Sequence, residues 1–129
     1  MKQNIGGIAL MVKDYDKAIE YFTKKLNFKL LEDTIRSETK RWVRIAPPGD
    51  DQVSLILAKA KNKKQETFIG NQTCGRVFMF LYTDDFWRDY KQMKLKGIDF
   101  IDQPRDESYG YVIVFKDLYG NKWDFIQKK

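Results

Sequence analysis

Ile8-Ala9-Leu10-Met11-Val12-Lys13-Asp14-Tyr15-Asp16-Lys17-Ala18-Ile19-Glu20-Tyr21-Phe22-Thr23-Lys24-Lys25-Leu26-Asn27-Phe28-Lys29-Leu30-Leu31 holds the plan of the whole chain. Five apolar residues, 8–12, read as a strand. Asp14 follows where a helix needs a side chain to accept hydrogen bonds from its free first-turn N–H groups. Ala18, Phe22 and Leu26 then recur at i, i+4 and i+8, with Ile19 beside them, and so make one apolar helix face. Glu20, Thr23, Lys24 and Lys25 lie mostly outside that face. Asn27 stands where a left-handed residue ends a helix. Phe28–Leu31 resumes as strand.

Further along, Arg76–Ile101 repeats the same order. Val77–Tyr82 reads as strand, and Asp84-Asp85 as the cap. Phe86, Tyr90, Met93 and Leu95 supply the helix face, Gly97 takes the place of Asn27, and Ile98–Ile101 is again strand. Each half then carries two more strands. The first pair is Arg41–Ala46 and Gln52–Ala58, joined through Pro47-Pro48-Gly49-Asp50-Asp51. The second is Tyr111–Lys116 and Lys122–Gln127, joined through Asp117-Leu118-Tyr119-Gly120-Asn121, where Gly120 and Asn121 suit a turn. The order is therefore βαβββ, linker, βαβββ. This predicts an α+β fold of two four-stranded mixed sheets, each with one helix outside, curved around a cleft. Module one spans residues 1–58, a linker 59–75 and module two 76–129, together one domain. Within the linker, Phe68-Ile69 is expected to pack onto the core.

Composition excludes several classes. Hydrophobic residues at 43% and charged residues at 33% suit a packed core, not a disordered chain. No stretch of 18 apolar residues exists, so no membrane helix is expected. The first residues carry no small-residue cleavage site, and the single Cys74 can form no internal disulfide. Both features lead to a cytoplasmic assignment. A net charge of +6 raises the question of nucleic acid. The basic residues are interleaved with acids, however, and the one dense run, Lys59–Lys64, reads as a solvated linker. No nucleic-acid partner is expected. The charge does favour encounter with anionic small molecules.

Specific stretches carry a resemblance. They are Val12-Lys13-Asp14-Tyr15-Asp16-Lys17-Ala18, then Tyr21-Phe22 and Leu26-Asn27-Phe28. Later come Arg41-Trp42-Val43-Arg44-Ile45-Ala46-Pro47-Pro48-Gly49, Thr83-Asp84-Asp85, and Phe115-Lys116-Asp117-Leu118-Tyr119-Gly120-Asn121. In their order and spacing they resemble the vicinal oxygen chelate superfamily of glyoxalase I, extradiol dioxygenases, fosfomycin-resistance transferases and bleomycin-binding proteins. The 41–49 stretch is similar to an uncharacterised bacterial branch of it. The resemblance implies a metal held by the first and last strand of each module. The first-strand ligand, typically His, stands seven residues before the capping Asp, which selects Gly7 and Phe78. The last-strand ligand, typically Glu, falls at Asp124. Matching Val53-Ser54-Leu55 to Trp123-Asp124-Phe125 makes Ser54 its partner.

Gly and Phe offer no side-chain donor, neutral Ser is a poor ligand, and the chain has no histidine. Asp124 alone cannot hold a metal, so no metal or cofactor is expected. The expected function is binding of a small anionic or aromatic molecule between the modules, with a homodimer as the assembly. The alternative is a lyase or dioxygenase-type enzyme with a rearranged or metal-free site using Asp124. The expected ligand-binding residues are Trp42, Arg44, Ser54, Phe78, Phe80, Tyr82 and Asp124. Strand alternation puts Val43 and Ile45 toward the helix, leaving Trp42 and Arg44 on the other face. An Arg beside a Trp suits a planar anion. Tyr109-Gly110-Tyr111 reads as a loop that could form a lip.

Overall fold

Two aspartates start the two main helices, as their positions require. In the computed structural model, which describes residues 1–129, the chain forms two compact units, Met1–Ile69 and Gly70–Lys129. The first contains β1 (Gly7–Val12), α1 (Tyr15–Lys25), β2 (Lys29–Ile35), β3 (Arg41–Ala46), β4 (Ser54–Lys59) and a single turn, α2 (Lys63–Glu66). Asp14 is extended, and its carboxylate accepts a hydrogen bond from Lys17 N at 2.9 Å. Lys24 and Lys25 close α1, where positive charge suits the helix dipole. Asn27 leaves the helix at φ 57°.

The first sheet runs β1-β4-β3-β2, with β1 parallel to β4 and the other pairs antiparallel. Residues paired across strands point to the same face. One face carries Leu10, Val12, Val43, Ile45, Leu55 and Leu57, all buried together with Ala18 and Phe22 of α1. That apolar burial is the main force holding helix to sheet.

The second unit contains β5 (Met79–Tyr82), α3 (Phe86–Leu95), β6 (Asp99–Phe100), β7 (Arg105–Glu107), β8 (Gly110–Lys116) and β9 (Lys122–Lys128). Its sheet runs β5-β9-β8-β6, and β7 also pairs with β8. Asp85 caps α3 by accepting from Arg88 N at 3.1 Å, and Gly97 ends it at φ 79°. Phe86 is fully buried, its ring 5.0–6.1 Å from those of Trp87, Tyr90, Tyr111 and Phe125.

Five expectations are corrected. The second sheet has five strands, because the polar run Arg105-Asp106-Glu107 pairs with β8. Leu95 is exposed; Ile98, past the helix, is buried instead. The stretch 59–75 is not plain linker: β4 runs through Lys59, and Asn62 caps α2 by accepting from Gln65 N. Phe68 stays 47% exposed and does not join the core. Tyr109-Gly110-Tyr111 is only in part a loop: Tyr109 is an exposed turn residue, but Gly110 begins β8 against the Gln127 carbonyl, and the Tyr111 ring meets those of Phe86 and Trp87.

Candidate functional site

Each sheet has an open face opposite its helix. On the first, residues paired in register form one row: Ala9, Ile56, Arg44 and Glu32. Thr34 and Trp42 form the next pair along, on the same face. Glu32 organises this corner. Its Oε1 accepts from Trp42 Nε1 and from Arg44 Nε, both at 3.2 Å, and its Oε2 from Thr34 Oγ1 at 3.1 Å. Arg44, first through its hydrogen bond, holds the Glu32 carboxyl below its ordinary range. Because Glu32 takes the Nε–H, the two terminal guanidinium nitrogens of Arg44 remain free to donate. The indole is fixed beside them.

Sequence reasoning placed Trp42 and Arg44 correctly on this face but missed Glu32. It ended β2 at Leu31, whereas the strand passes an irregularity after Leu30 and continues to Ile35. Ser54 is buried, and its hydroxyl donates to Gly6 O at 3.3 Å.

On the second sheet the corresponding row is Phe80, Asp124 and Val114. Phe80 is 58% and Tyr82 55% exposed, and Lys128 Nζ stands 4.9 Å from the Tyr82 ring centre. Phe78 directly precedes β5, and its ring stands edge-on to that of Trp123. Asp124 is half-buried. Burial pushes its carboxyl above the usual range, Arg105 pulls it back, and Asp102 pushes it up further. Asp102 accepts from Val114 N at 2.9 Å and sits 3.5 Å from Arg105 Nε. Neither residue was singled out from sequence, since Asp102 stands in a loop and Arg105 in a three-residue polar strand, and neither gives an apolar signal.

A metal can be tested against these residues. Ala9 and Phe80 both stand five residues before their capping aspartates, so the paired residues Ile56 and Asp124 are counterparts. The match of Ser54 to Asp124 was thus two residues out. A Cβ on Gly7 would lie 2.6 Å from Ile56 Cδ1, so Ile56 fills the space a ligand side chain from that position would use. Nowhere do three His, Cys, Asp or Glu side chains gather as a metal set. The residues present do not fit the metal that the resemblance implies. Cys74, exposed and with no histidine anywhere in the chain to activate it, adds no nucleophilic site.

The family model for the Glyoxalase/Bleomycin resistance protein/Dioxygenase superfamily matches residues 4–125. An uncharacterized protein of Shewanella frigidimarina is 57% identical over 128 residues, covering 98% of this chain and 95% of the relative. Among solved structures, UcmS2 matches with a TM-score of 0.84 at 22% identity, covering 98% of both chains. TnmS3, described as an antibiotic binding protein from Streptomyces sp. CB03234, matches with a TM-score of 0.78 at 24% identity, over 99% of this chain and 98% of its own. At these identities the two structures establish the fold.

Proposed function

This chain belongs to the glyoxalase/bleomycin resistance protein/dioxygenase superfamily, and on that premise we propose that it binds a small aromatic anion on the open face of its first sheet, without a metal. The observation that carries this is Glu32, which holds the Trp42 ring and the Arg44 fork side by side and leaves the fork's outer nitrogens available. A planar acid can lie on the indole and present its carboxylate or sulfonate to the guanidinium. The net charge of +6 favours encounter with such a ligand. The likeness to an antibiotic binding protein agrees with a binding role.

The test is a thermal-shift screen of aromatic carboxylates and sulfonates on wild type and Arg44→Ala. Hits should bind the variant more weakly by about 1–3 kcal/mol, the worth of a charge-assisted hydrogen bond. Equal stabilisation of both proteins would reject the reading. Native mass spectrometry of the same material should show chains without bound metal, paired as the homodimer this reading takes as its assembly.

A second reading, metal-free acid/base chemistry, draws on the raised pKa of Asp124 beside the exposed Phe80 ring. It requires that Asp124→Asn abolish turnover of a substrate while leaving its binding intact.

A further inference from the structure

In the middle of the first sheet a ladder ends early. Strands β3 and β4 are central neighbours, yet their pairing covers Val43–Ile45 against Leu55–Leu57 alone. Toward the start of β3 each strand keeps its outer partner instead. There β3 follows β2 as far as the pair Arg41 and Ile35, and β4 follows β1 as far as Lys59 and Val12. Ala60 N then donates to Val12 O at 3.0 Å, carrying the chain further that way. The two strands part like a fork. A hollow of about 750 Å³ lies there, within the usual size range of small-molecule pockets.

The walls of this hollow have a definite chemistry. Trp42 and Tyr15 bring rings, while Lys40, Arg41, Lys59 and Lys61 bring cations, and no acidic residue lines it. Arg41 is already neutralised, with two hydrogen bonds to Asp33 at 2.6 and 3.0 Å and one to Asp16 at 2.9 Å. Lys40, Lys59 and Lys61 make no ion pair. Lys59 is close enough to Asp14 to help lower its carboxyl, and that carboxylate is held by Lys17 N as the helix cap. Arg41 N donates to the Tyr15 hydroxyl at 3.3 Å, so that hydroxyl keeps its own proton to give. Trp42 is fixed by its bond to Glu32.

We propose that this fork is a second binding site, for a planar ring bearing a phosphate. A single carboxylate would leave two of the three lysines unanswered. A phosphate monoester carries about −1.5 to −2 at neutral pH and three acceptor oxygens, which suits three ammonium groups and the Tyr15 hydroxyl. The ring of such a ligand rests against Trp42. The fork shares Trp42 and Ile56 with the open face, but Arg44, which carries the function proposed above, is not on these walls, so substitutions at Arg44 and at the lysines tell the two sites apart.

The experiment is calorimetric titration with 1-naphthyl phosphate, 1-naphthol and inorganic phosphate. It uses wild type, the triple variant Lys40→Ala/Lys59→Ala/Lys61→Ala, and Arg44→Ala, each checked for folding by circular dichroism. 1-Naphthyl phosphate should bind wild type more tightly than either fragment. The triple variant should lose about tenfold or more, and Arg44→Ala should lose clearly less than the triple variant. A folded triple variant that binds as well as wild type overturns the site, as does a wild type that binds no 1-naphthyl phosphate. A loss in Arg44→Ala equal to that in the triple variant also overturns it, and moves the ligand to the open face.

Discussion

The same row of the two sheets reads Ala9, Ile56, Arg44, Glu32 in the first unit and Phe80, Asp124, Val114 in the second. The backbone ladder beneath is alike: a parallel pair between the first and last strands, then an antiparallel neighbour. The helix-facing rows are alike too, because both must bury apolar side chains against a helix. The open-face rows share almost nothing. Where one sheet has an acid the other has Ile56, and where one has an arginine the other has Val114. Packing against a helix constrains one face of a strand and leaves the other free to take up chemistry.

The likeness of the helix faces can be broken at its centre, where the largest effects are expected. Phe22→Ala and Phe86→Ala each empty a fully buried site and should cost about 3–5 kcal/mol in denaturant titrations. Both sites sit among rings: Trp87, Tyr90, Tyr111 and Phe125 around Phe86, and Tyr21 and Phe28 beside Phe22. A loss below about 1 kcal/mol in either would mean that helix is not anchored as described.

The hairpins that lead into the last strands differ more sharply. Asp117 is buried, and its carboxylate accepts from Tyr119 N, Asn121 N, Asn121 Nδ2 and Trp123 Nε1, all at 3.0–3.1 Å. Asp50, in the corresponding turn, is exposed and accepts from Gln52 N alone. Asp117→Ala should therefore cost about 3 kcal/mol, leaving buried donors unanswered. Asp50→Ala should stay within about 0.5 kcal/mol. Comparable losses at both would remove the contrast.

That contrast also explains what could be read in advance. The helices, Asn27, Gly97 and both capping aspartates were legible because local rules fix them. The slip from Ile56 to Ser54 has a physical origin. Gly120-Asn121 anchors the count into β9, while Pro47–Gln52 has no such anchor, so the count into β4 drifted. A slip of two residues keeps every side chain on its face, and alternation cannot detect it. Glu32, Asp102 and Arg105 stayed hidden for another reason. Glu32 lies inside β2 beyond its irregularity, Arg105 starts a short polar strand and Asp102 stands in the loop before it, so their placement is decided by tertiary neighbours, not by an apolar pattern.

A smaller effect tests the likeness of the helix starts. Asp85→Ala should cost about 1 kcal/mol, the usual worth of a cap, and Asp14→Ala should have the same sign. Phe86 N is also held by Gln127 Oε1 at 2.7 Å, so the start of α3 has a second tie. Gln127→Ala combined with Asp85→Ala should therefore exceed either change alone in a thermal melt.

The finest comparison sets the two open-face carboxylates against each other by pH. Burial raises the Asp124 carboxyl, so between the ordinary carboxylate range and that raised value the native state holds more protons than the unfolded chain. Stability from this group then falls as pH rises through that window. Glu32 goes the other way. Its hydrogen bond from Arg44 lowers its pKa, so below the ordinary range the unfolded chain holds more protons and stability rises with pH. Asp124→Asn should accordingly leave the protein at least as stable as wild type at neutral pH. Glu32→Gln should weaken it there, and both differences should vanish in strong acid. The effects are the smallest of the set, because both carboxylates keep contact with water and are screened by it. Paired melts from pH 3 to pH 8, a range set by roughly ordinary carboxylate values, decide it. If both variants shift stability in the same direction, the two faces do not differ in the electrostatic sense argued here, and Asp124 is not held by burial.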